Sequence, residues 1–418
     1  MVLPKASVFN PDWHLGRRGR KRGGARNMQC ELTTVSLGKD APLVSVVIPC
    51  LNEERTVGAC IQAARASLTR LGIAGEVLVS DNGSTDRSVN MAREAGARVV
   101  HCPRLGYGHA VRFGVEQSRG QFVVMGDGDG SYDFASIDPF ICRLQEGAHL
   151  VMGNRFQGGI QAGAMPWKNR YIGNPALTWL LNALFGTRIG DAHCGLRGFT
   201  RGAFDRMRLE SAGMELASEM VVKAARIGLS VQEVPTVLWP DGRDRPPHLR
   251  PWRDGWRHLK LLLMFSPLHL FLLPAVVLLL AGLLLTVPLA AGPLRIGSAR
   301  FDMHWMVLGV LLVLLGLQIL YFGVAARCYT VWHRFPMPDR WLDILAPRVH
   351  LEHGLLIGGV LSFAGLAIDI WVLIDWVDVG FGALQRVRPA LLATAMIAAG
   401  VQTVFFSFFM AIMKDKQH

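Results

Sequence analysis

Four long apolar runs after residue 265 limit what this chain can fold into more than any other feature of its sequence. Each is long enough for the ~20 residues with which a helix crosses a hydrocarbon layer of ~30 Å. The first, second and fourth contain no Asp, Glu, Lys or Arg, whereas buried helices of a soluble core carry a polar face. The sequence therefore predicts four membrane-spanning helices, at about 268–290, 305–326, 354–374 and 389–413.

The third run contains one acidic residue, Asp369. An acid inside a membrane usually faces the interior of a helix bundle and has a functional role. Contact with a polar neighbour, Gln318 or Gln402, is the other interpretation, and the sequence leaves both open.

Basic residues beside the spans predict their orientation. Only Arg295 with Arg300, and Arg386 with Arg388, lie in the loops after the first and third spans. Because basic loops stay in the cytoplasm, we expect a multi-pass protein of the inner (plasma) membrane whose termini and N-terminal domain are cytoplasmic. The other flanking bases are Arg243, Arg245, Arg250, Arg253, Arg257, Lys260, Arg327, Arg334, Arg340, Arg348, Lys414 and Lys416.

The chain is strongly basic, with a formal net charge of +12, and one basic cluster lies at 17–22. No apolar stretch follows this cluster, as an export signal would require. We interpret residues 1–41 as a disordered basic tail near anionic lipid, and we expect no nucleic-acid partner.

From residue 42 the pattern alternates short β-branched runs with helical periods, which predicts a doubly wound, mainly parallel α/β sheet. The predicted helices lie at about 53–70, 86–95, 107–118 and 135–146. The predicted strands are Val44–Ile48, Glu76–Ser80, Arg98–His101, Gln121–Met125 and His149–Met152.

Polar and acidic residues follow three of these strands, at 49–54, 81–86 and 127–131. Ligands of such sheets bind beyond the carboxyl ends of the strands, so these segments are expected to face one crevice. A dinucleotide-binding fold would have its glycine fingerprint directly after the first strand. The chain has only the weak candidate 106–110, after the third strand, and a tight turn at a helix start explains that segment equally well.

The acid pair Asp127 and Asp129 follows the fourth predicted strand, with Gly128 between the two carboxylates. The glycine lets the backbone bend, so both acids can turn toward one hard cation, Mg²⁺ or Mn²⁺. Such an ion would bridge the phosphates of a nucleotide sugar and neutralise the charge on its leaving group. A solvated Asp-Gly turn is the alternative interpretation.

An ordered set of motifs over about 42–240 resembles the family 2 glycosyltransferases of the GT-A fold. Among these the chain looks most like the polyprenyl-phosphate sugar synthases, the relatives of dolichyl-phosphate mannose synthase. The motifs are SVVIPCLNEE at 45–54, SDNGSTD at 80–86, GDGDGSY at 126–132, VMGNRF at 151–156 and DAHCGLRGF at 191–199.

The resemblance implies a nucleotide-sugar pocket and a metal site. Glu53 and Asp81 would line the base and ribose pocket, together with Pro49 and Asn52. Asp127 and Asp129 would hold the metal and the diphosphate.

The resemblance also implies an acceptor site. Arg155, Arg170 and Asn174 fall where relatives contact the acceptor phosphate, and a guanidinium fork matches phosphate oxygens. Asp129 and these two arginines are the expected catalytic residues. Three further residues are candidates for orienting the substrates: Asp191, Arg197 and Glu219.

These inferences together predict transfer of a single hexose from UDP-glucose or GDP-mannose to a polyprenyl phosphate. An ionised lipid phosphate can attack without a general base, unlike a sugar hydroxyl. The processive polysaccharide synthases of the superfamily carry Q-x-x-R-W, which this chain lacks, and this favours single transfer. A hydroxyl acceptor, and a non-catalytic nucleotide-sugar-binding module, remain alternatives; the oligomeric state stays open.

The sequence thus divides into a tail, a GT-A domain at 42–240, a juxtamembrane segment at 241–266, a four-span membrane domain at 267–413 and a cytoplasmic end at 414–418. The juxtamembrane segment mixes arginines with Trp252 and Trp256, as interfacial helices do.

Reporter fusions test the predicted topology. Reporters after Lys416 and within 341–350 are expected to be cytoplasmic, because their flanks are basic, and reporters within 292–300 and 380–388 external. Alkaline phosphatase and green fluorescent protein fusions measure this. An inverted pattern contradicts the four-span orientation.

Overall fold

A computed structural model of the chain describes residues 42–242, 251–329, 351–382 and 386–415. The predicted N-terminal tail, and two of the reporter positions (341–350 and the site after Lys416), lie outside the described residues.

The N-terminal half is built on a seven-stranded, mainly parallel sheet with the strand order β3-β2-β1-β4-β6-β5-β7. One strand, β6, runs antiparallel to both of its neighbours, β4 and β5. The strands are β1 (Val44–Cys50), β2 (Gly75–Asp81), β3 (Arg98–His101), β4 (Phe122–Met125), β5 (Leu150–Asn154), β6 (Arg197–Thr200) and β7 (Val231–Pro235).

Helices cover both faces of this sheet, because successive strand residues point to opposite sides and both sides are apolar. Val46 and Ile48 of β1 belong to one core cluster, whereas Val47 belongs to the other. The helices are α1 (Val57–Arg70), α2 (Ser88–Glu94), α3 (Tyr107–Gln117), α4 (Asp138–Gln145), the short α5 (Arg155–Gly158), α6 (Asn174–Phe185), α7 (Arg201–Met207) and α8 (Leu216–Arg226).

The predicted fold class is confirmed, and all five predicted strands are present with small shifts at their ends. Two strands of this sheet, β6 and β7, were not predicted, and neither was a short antiparallel strand pair, Leu294–Ile296 with Ala299–Phe301. Strand β6 contains Arg197 and Gly198, residue types that are uncommon in a buried strand.

The membrane half has the four apolar helices that the sequence predicts, each long enough to cross a membrane. An amphipathic helix, α9 (Pro251–Met264), precedes them, and its Trp252 and Trp256 are exposed. The long helices are α10 (Leu273–Ala291), α11 (Met303–Tyr329), α12 (Leu351–Asp378) and α13 (Val387–Asp415), and a π-helical turn (Leu268–Leu272) leads into α10.

The four long helices pack closely as two antiparallel pairs, α10 with α11 and α12 with α13. Small residues make the close approach possible. They are common at helix contacts in membranes, because the hydrophobic effect does not drive helices together in lipid. A Cβ on Gly358 would lie 2.6 Å from the carbonyl oxygen of Gly400, and Gly282 faces Gly309 in the same way. The α11 and α13 helices are also joined where Arg388 meets Asp302.

Asp369 lies on α12 and is partly exposed. Within the described residues, no hydrogen bond joins it to Gln318 or Gln402, and the side-chain oxygen of Gln402 is buried without a hydrogen-bond partner.

Neighbouring glycines on α12 give a matched test of this packing. Gly358→Leu is expected to lower the free energy of unfolding by about 1–3 kcal/mol, because the new side chain collides with α13. Gly359→Leu adds the same side chain where nothing lies within 4 Å, so it is the control. Thermal unfolding in detergent measures both, and equal melting temperatures would contradict the glycine-mediated packing.

Candidate active site

Hydrogen bonds join the segment after β1 to the segment after β2. Asn52 has a left-handed backbone (φ 57°), which asparagine tolerates better than most residues. Its side-chain oxygen accepts a hydrogen bond from the Thr85 amide (2.7 Å), and its own amide donates to the Ser84 hydroxyl (2.9 Å). The Glu53 amide donates to the Ser88 hydroxyl (2.6 Å). Two predicted nucleotide-site residues are therefore held at one sheet edge.

Asp81 ends β2 at the same edge and is almost fully buried. Its carboxylate accepts hydrogen bonds from the amides of Gly83 (3.3 Å) and Ser84 (3.1 Å). Nδ1 of His101 lies 3.1 Å from the same carboxylate. Pro49 lies in β1, next to β2 through its pairing with Ser80. The two strands bring all four predicted base and ribose residues together.

The acid pair lies beyond β4, and a neighbouring hydroxyl fixes each carboxylate. The Tyr107 hydroxyl donates to Oδ1 of Asp127 (2.9 Å), and Oδ1 of Asp129 accepts from both the amide (3.0 Å) and the hydroxyl (2.6 Å) of Ser131. Thr56, just before α1, donates to the carbonyl of Gly128 (2.7 Å). That bond joins the acid pair to the segment that carries Asn52 and Glu53.

The donor set fits a hard divalent cation, because two carboxylates with fixed orientations stand one residue apart beyond the end of β4. Among the described residues, no group of three or more His, Cys, Asp or Glu side chains comes together elsewhere or here. A bound Mg²⁺ or Mn²⁺ would therefore take its remaining ligands from phosphate oxygens and water, as Mg²⁺ commonly does.

Burial of the phenol, and then the charge of Asp127, raise the pKa of Tyr107 well above its usual range. The hydroxyl therefore stays protonated and remains a hydrogen-bond donor at neutral pH. Tyr107 opens α3 after Gly106, whose φ of 135° suits only glycine. The sequence did not identify this tyrosine as a site residue, because the glycines around it are equally typical of a tight turn.

Glu219 holds the segment 210–212, which contacts that turn. Its carboxylate accepts from the amides of Glu210 (2.9 Å) and Ser211 (2.8 Å) and pairs with Lys223 (2.6 Å). In the same segment, the carbonyl of Ala212 accepts a hydrogen bond from the amide of Gly108, which belongs to the turn (2.8 Å). Within the described part of the chain, Glu219 is thus linked to Asp127 through the turn that carries Tyr107.

Arg155 and Asp191 form a buried, bidentate ion pair. Nε of the arginine lies 2.6 Å from Oδ2 of the aspartate, and Nη2 lies 2.8 Å from Oδ1. Although burial opposes the charge, the hydrogen bonds and charge of Arg155 keep the pKa of Asp191 below its usual range. Asp191 is therefore a fixed anion rather than a group ready to accept a proton.

Arg197 is fully buried and donates only to backbone carbonyls in the contacts resolved, those of Cys194 (2.8 Å), Ala192 (2.8 Å) and Ala217 (2.7 Å). It fixes the shape of the 191–197 loop. That loop passes the acid pair, since a Cβ on Gly195 would lie 2.5 Å from Oδ2 of Asp127.

A hydroxyl between two imidazoles joins the same loop to helix α9. Oγ of Ser218 lies 2.8 Å from Nδ1 of His258 and 3.4 Å from Nε2 of His193. Burial lowers the pKa of His258 to about 4, and burial together with His258 lowers the pKa of His193 well below 6.5. Both rings are therefore neutral at pH 7. This contact could not be predicted from the sequence, because its three residues lie far apart along the chain.

Arg170 and Asn174 lie on a separate segment, at the turn before α6 and at its first residue. Arg170 stands 5.4 Å from the Tyr171 ring, and the Asn174 amide contacts the sulfur of Met165. No contact with Arg155 or the acid pair is resolved for them within the described residues. The segment that carries Arg170 exposes several large apolar side chains: Trp167, Tyr171, Ile172 and Trp179.

Two family models match the chain. Residues 45–208 match glycosyl transferase family 2, and residues 324–414 match the family 2 C-terminal transmembrane region. The chain is also 38% identical, over 90% of its own length and 90% of the relative's, to the low-salt glycan biosynthesis hexosyltransferase Agl6 of Haloferax volcanii. The chain belongs to glycosyltransferase family 2. It is a transferase with a membrane domain.

A second relative of this family 2 glycosyltransferase is the dolichyl-phosphate hexose transferase of Haloferax volcanii, 31% identical over 46% of this chain and 81% of the relative. Among solved structures, glucosyl-3-phosphoglycerate synthase from Mycobacterium tuberculosis with Mn²⁺, uridine diphosphate and glucosyl-3-phosphoglycerate is 23% identical. It covers 54% of this chain and 80% of its own, with a TM-score of 0.41.

Replacing Tyr107 tests its link to Asp127 in the transferase. Tyr107→Phe keeps the ring but removes the hydrogen bond to a charged carboxylate, so Mn²⁺ binding in the presence of UDP or GDP is expected to weaken by about tenfold or more. Tyr329→Phe, at the far end of α11, is the control. Calorimetry measures the binding, and an unchanged affinity in Tyr107→Phe would contradict a role for this hydroxyl in orienting Asp127.

Proposed function

We propose that this glycosyltransferase transfers a single hexose from a UDP- or GDP-linked sugar to a polyprenyl phosphate at the cytoplasmic membrane face. The exposed apolar side chains on the segment that carries Arg170 support this proposal. A guanidinium beside exposed Tyr171, on a segment that also exposes Trp167 and Trp179, matches an acceptor that has an anionic head and a hydrocarbon tail. A soluble sugar acceptor gives no reason for such a surface.

The ionisation state of the two candidate general bases, Asp191 and Glu219, also favours a phosphate acceptor. Attack by a sugar hydroxyl requires removal of a proton, whereas a phosphate monoester is already ionised. Asp191 is paired with Arg155, and the bonds from Lys223 and Ser211 keep the pKa of Glu219 below its usual range in spite of burial. Neither carboxylate is suited to accept a proton at neutral pH.

We assign the donor side to the edge formed by β1, β2 and β4. Pro49, Asn52, Glu53 and Asp81 would bind the base and ribose. Asp127 and Asp129 would hold Mg²⁺ or Mn²⁺, which when bound neutralises the charge of the departing nucleoside diphosphate. The relative named as a hexosyltransferase supports a hexose donor, without deciding between glucose and mannose.

On the acceptor side, Arg170 and Asn174 would bind the lipid phosphate. The ion pair with Asp191 already occupies Nε and Nη2 of Arg155, so this arginine would contribute mainly its position and charge. Catalysis would then depend on bringing an ionised phosphate to the anomeric carbon and excluding water. The relative named as a dolichyl-phosphate hexose transferase supports this acceptor class.

A screen of nucleotide sugars with undecaprenyl phosphate tests the proposal. The full-length protein in nanodiscs, with Mn²⁺ or Mg²⁺, is expected to form one lipid-linked hexose, read by mass spectrometry. Asp129→Asn is expected to abolish turnover with the fold retained, because it weakens a metal ligand at the sheet edge without opening a core cavity. Transfer only to hydroxyl acceptors would refute the lipid-phosphate assignment.

Arg170→Ala separates the acceptor from the donor. Loss of a charge-assisted contact is expected to lower kcat/KM for undecaprenyl phosphate about tenfold to a hundredfold while nucleotide-sugar binding stays the same. Arg188→Ala removes an exposed arginine from the same domain and serves as control. Arg155→Ala is unsuitable, because it would leave Asp191 as a buried, uncompensated charge and destabilise the fold by about 3–5 kcal/mol. Normal acceptor use by Arg170→Ala would contradict its assignment.

A further inference from the structure

The carboxylate of Asp81 has one hydrogen-bond position left after its contacts within the described residues. A carboxylate accepts about four hydrogen bonds, about two at each oxygen. Oδ2 accepts from the amide of Gly83 (3.3 Å) and lies 3.1 Å from Nδ1 of His101. Oδ1 accepts from the amide of Ser84 (3.1 Å). Oδ2 is therefore fully used, and the remaining position is on Oδ1.

His101 reaches Asp81 through the pairing of β2 with β3, in which the two residues lie opposite each other at the strand ends. Nε2 of the imidazole lies 3.4 Å from Nη2 of Arg93, and a guanidinium can only donate. Nε2 is therefore the acceptor, and Nδ1 carries the hydrogen that it donates to Asp81. The side chain of His101 is 58% exposed, whereas that of Asp81 is 5% exposed. An exposed imidazole thus occupies one side of a nearly covered carboxylate.

An exposed apolar side chain lies beside the turn that holds Asp81. The loop after β3 is joined to this turn, because the side-chain amide of Asn82 donates to the carbonyl of Arg104 (2.9 Å). The next residue, Leu105, is 78% exposed. It lies against the turn, since a Cβ on Gly83 would stand 3.3 Å from its Cδ2. An exposed apolar side chain next to a hydrogen-bond acceptor suits the face of a heterocyclic base.

Uracil and guanine place different demands on such an acceptor. The Watson–Crick edge of uracil has a single N–H group, at N3, between two carbonyl oxygens. The edge of guanine has two neighbouring N–H groups, at N1 and at the exocyclic amine, which together match both oxygens of a carboxylate. Because only Oδ1 has a position left, Asp81 can accept the N–H of uracil but cannot accept both of those of guanine. A buried donor without an acceptor lowers affinity.

We propose that His101 makes the donor site selective for a uridine-linked sugar over a guanosine-linked sugar, by occupying the position on Oδ2 that the guanine edge requires. The inference rests on the proposed function, in which Asp81 binds the base. His101 acts through Asp81, so it is a specificity-determining residue and not a catalytic one. The lipid acceptor plays no part in this selection.

Isothermal titration calorimetry of the full-length protein in detergent, with Mn²⁺ and either UDP or GDP, tests the inference without any acceptor. The wild type is expected to bind UDP about tenfold or more tightly than GDP. His101→Leu frees the position on Oδ2, so the ratio of the two affinities is expected to fall about tenfold. His101→Asn keeps an N–H donor near the place of Nδ1 and is expected to restore the ratio. His304→Leu replaces an exposed histidine at the start of α11 and is the control.

N3-methyluridine diphosphate tests the same contact in the wild type, so the result does not depend on the folding of a variant. A methyl group replaces the hydrogen on N3, and binding is expected to be about tenfold or more weaker than that of UDP.

Three results would each overturn the inference while leaving the lipid acceptor, which the transfer assay measures separately, unaffected. They are equal affinities of the wild type for UDP and GDP, an unchanged ratio in His101→Leu that elutes as the wild type does on size exclusion, and equal binding of UDP and its N3-methyl derivative. Binding of neither UDP nor GDP would refute the donor site of the proposed function, and this inference with it.

Discussion

The buried ion pair between Arg155 and Asp191 is the interaction on which the rest of the catalytic domain depends. Breaking such a pair leaves an uncompensated charge in a low-dielectric interior, which strongly destabilises the fold. The two residues therefore stay paired. Through it, the end of β5 holds the start of the 191–197 loop, and Glu233 of β7 secures the same place by accepting from the amides of Gly190 and Asp191 (3.0 Å each). The loop then passes directly beside Asp127.

Much of this arrangement could be predicted, for a physical reason. Buried parallel strands are apolar on both faces, and their carboxyl ends share one edge, so Asp81, Asp127 and Asp129 were expected to lie near one another from the strand pattern alone. The membrane-spanning helices could be predicted equally well, because crossing a hydrocarbon layer requires long apolar helices. Both features depend on local sequence only.

The features that escaped prediction depend on contacts between distant segments. The pattern around Arg155 gives no sign that a partner 36 positions later removes much of its donor capacity. Tyr107 lies in a glycine turn, and its hydrogen bond to Asp127 becomes visible only once the start of α3 is placed beside the segment after β4. His258 belongs to a juxtamembrane helix whose arginines and tryptophans indicate a membrane surface. Its contact with Ser218 becomes visible only in the folded structure.

The contacts of Ser218 have a consequence for the proposed acceptor. Through Ser218 on α8, helix α9 is joined to His193 in the loop beside the acid pair. For an α9 that lies in the interface, as its exposed tryptophans predict, the acid pair stands at one height above the bilayer, set by a short rigid connection rather than by the length of a flexible tether. On the proposed function, an acceptor lipid would be selected by how far its phosphate rises from the hydrocarbon, a selection by vertical position that precedes any contact with the phosphate itself.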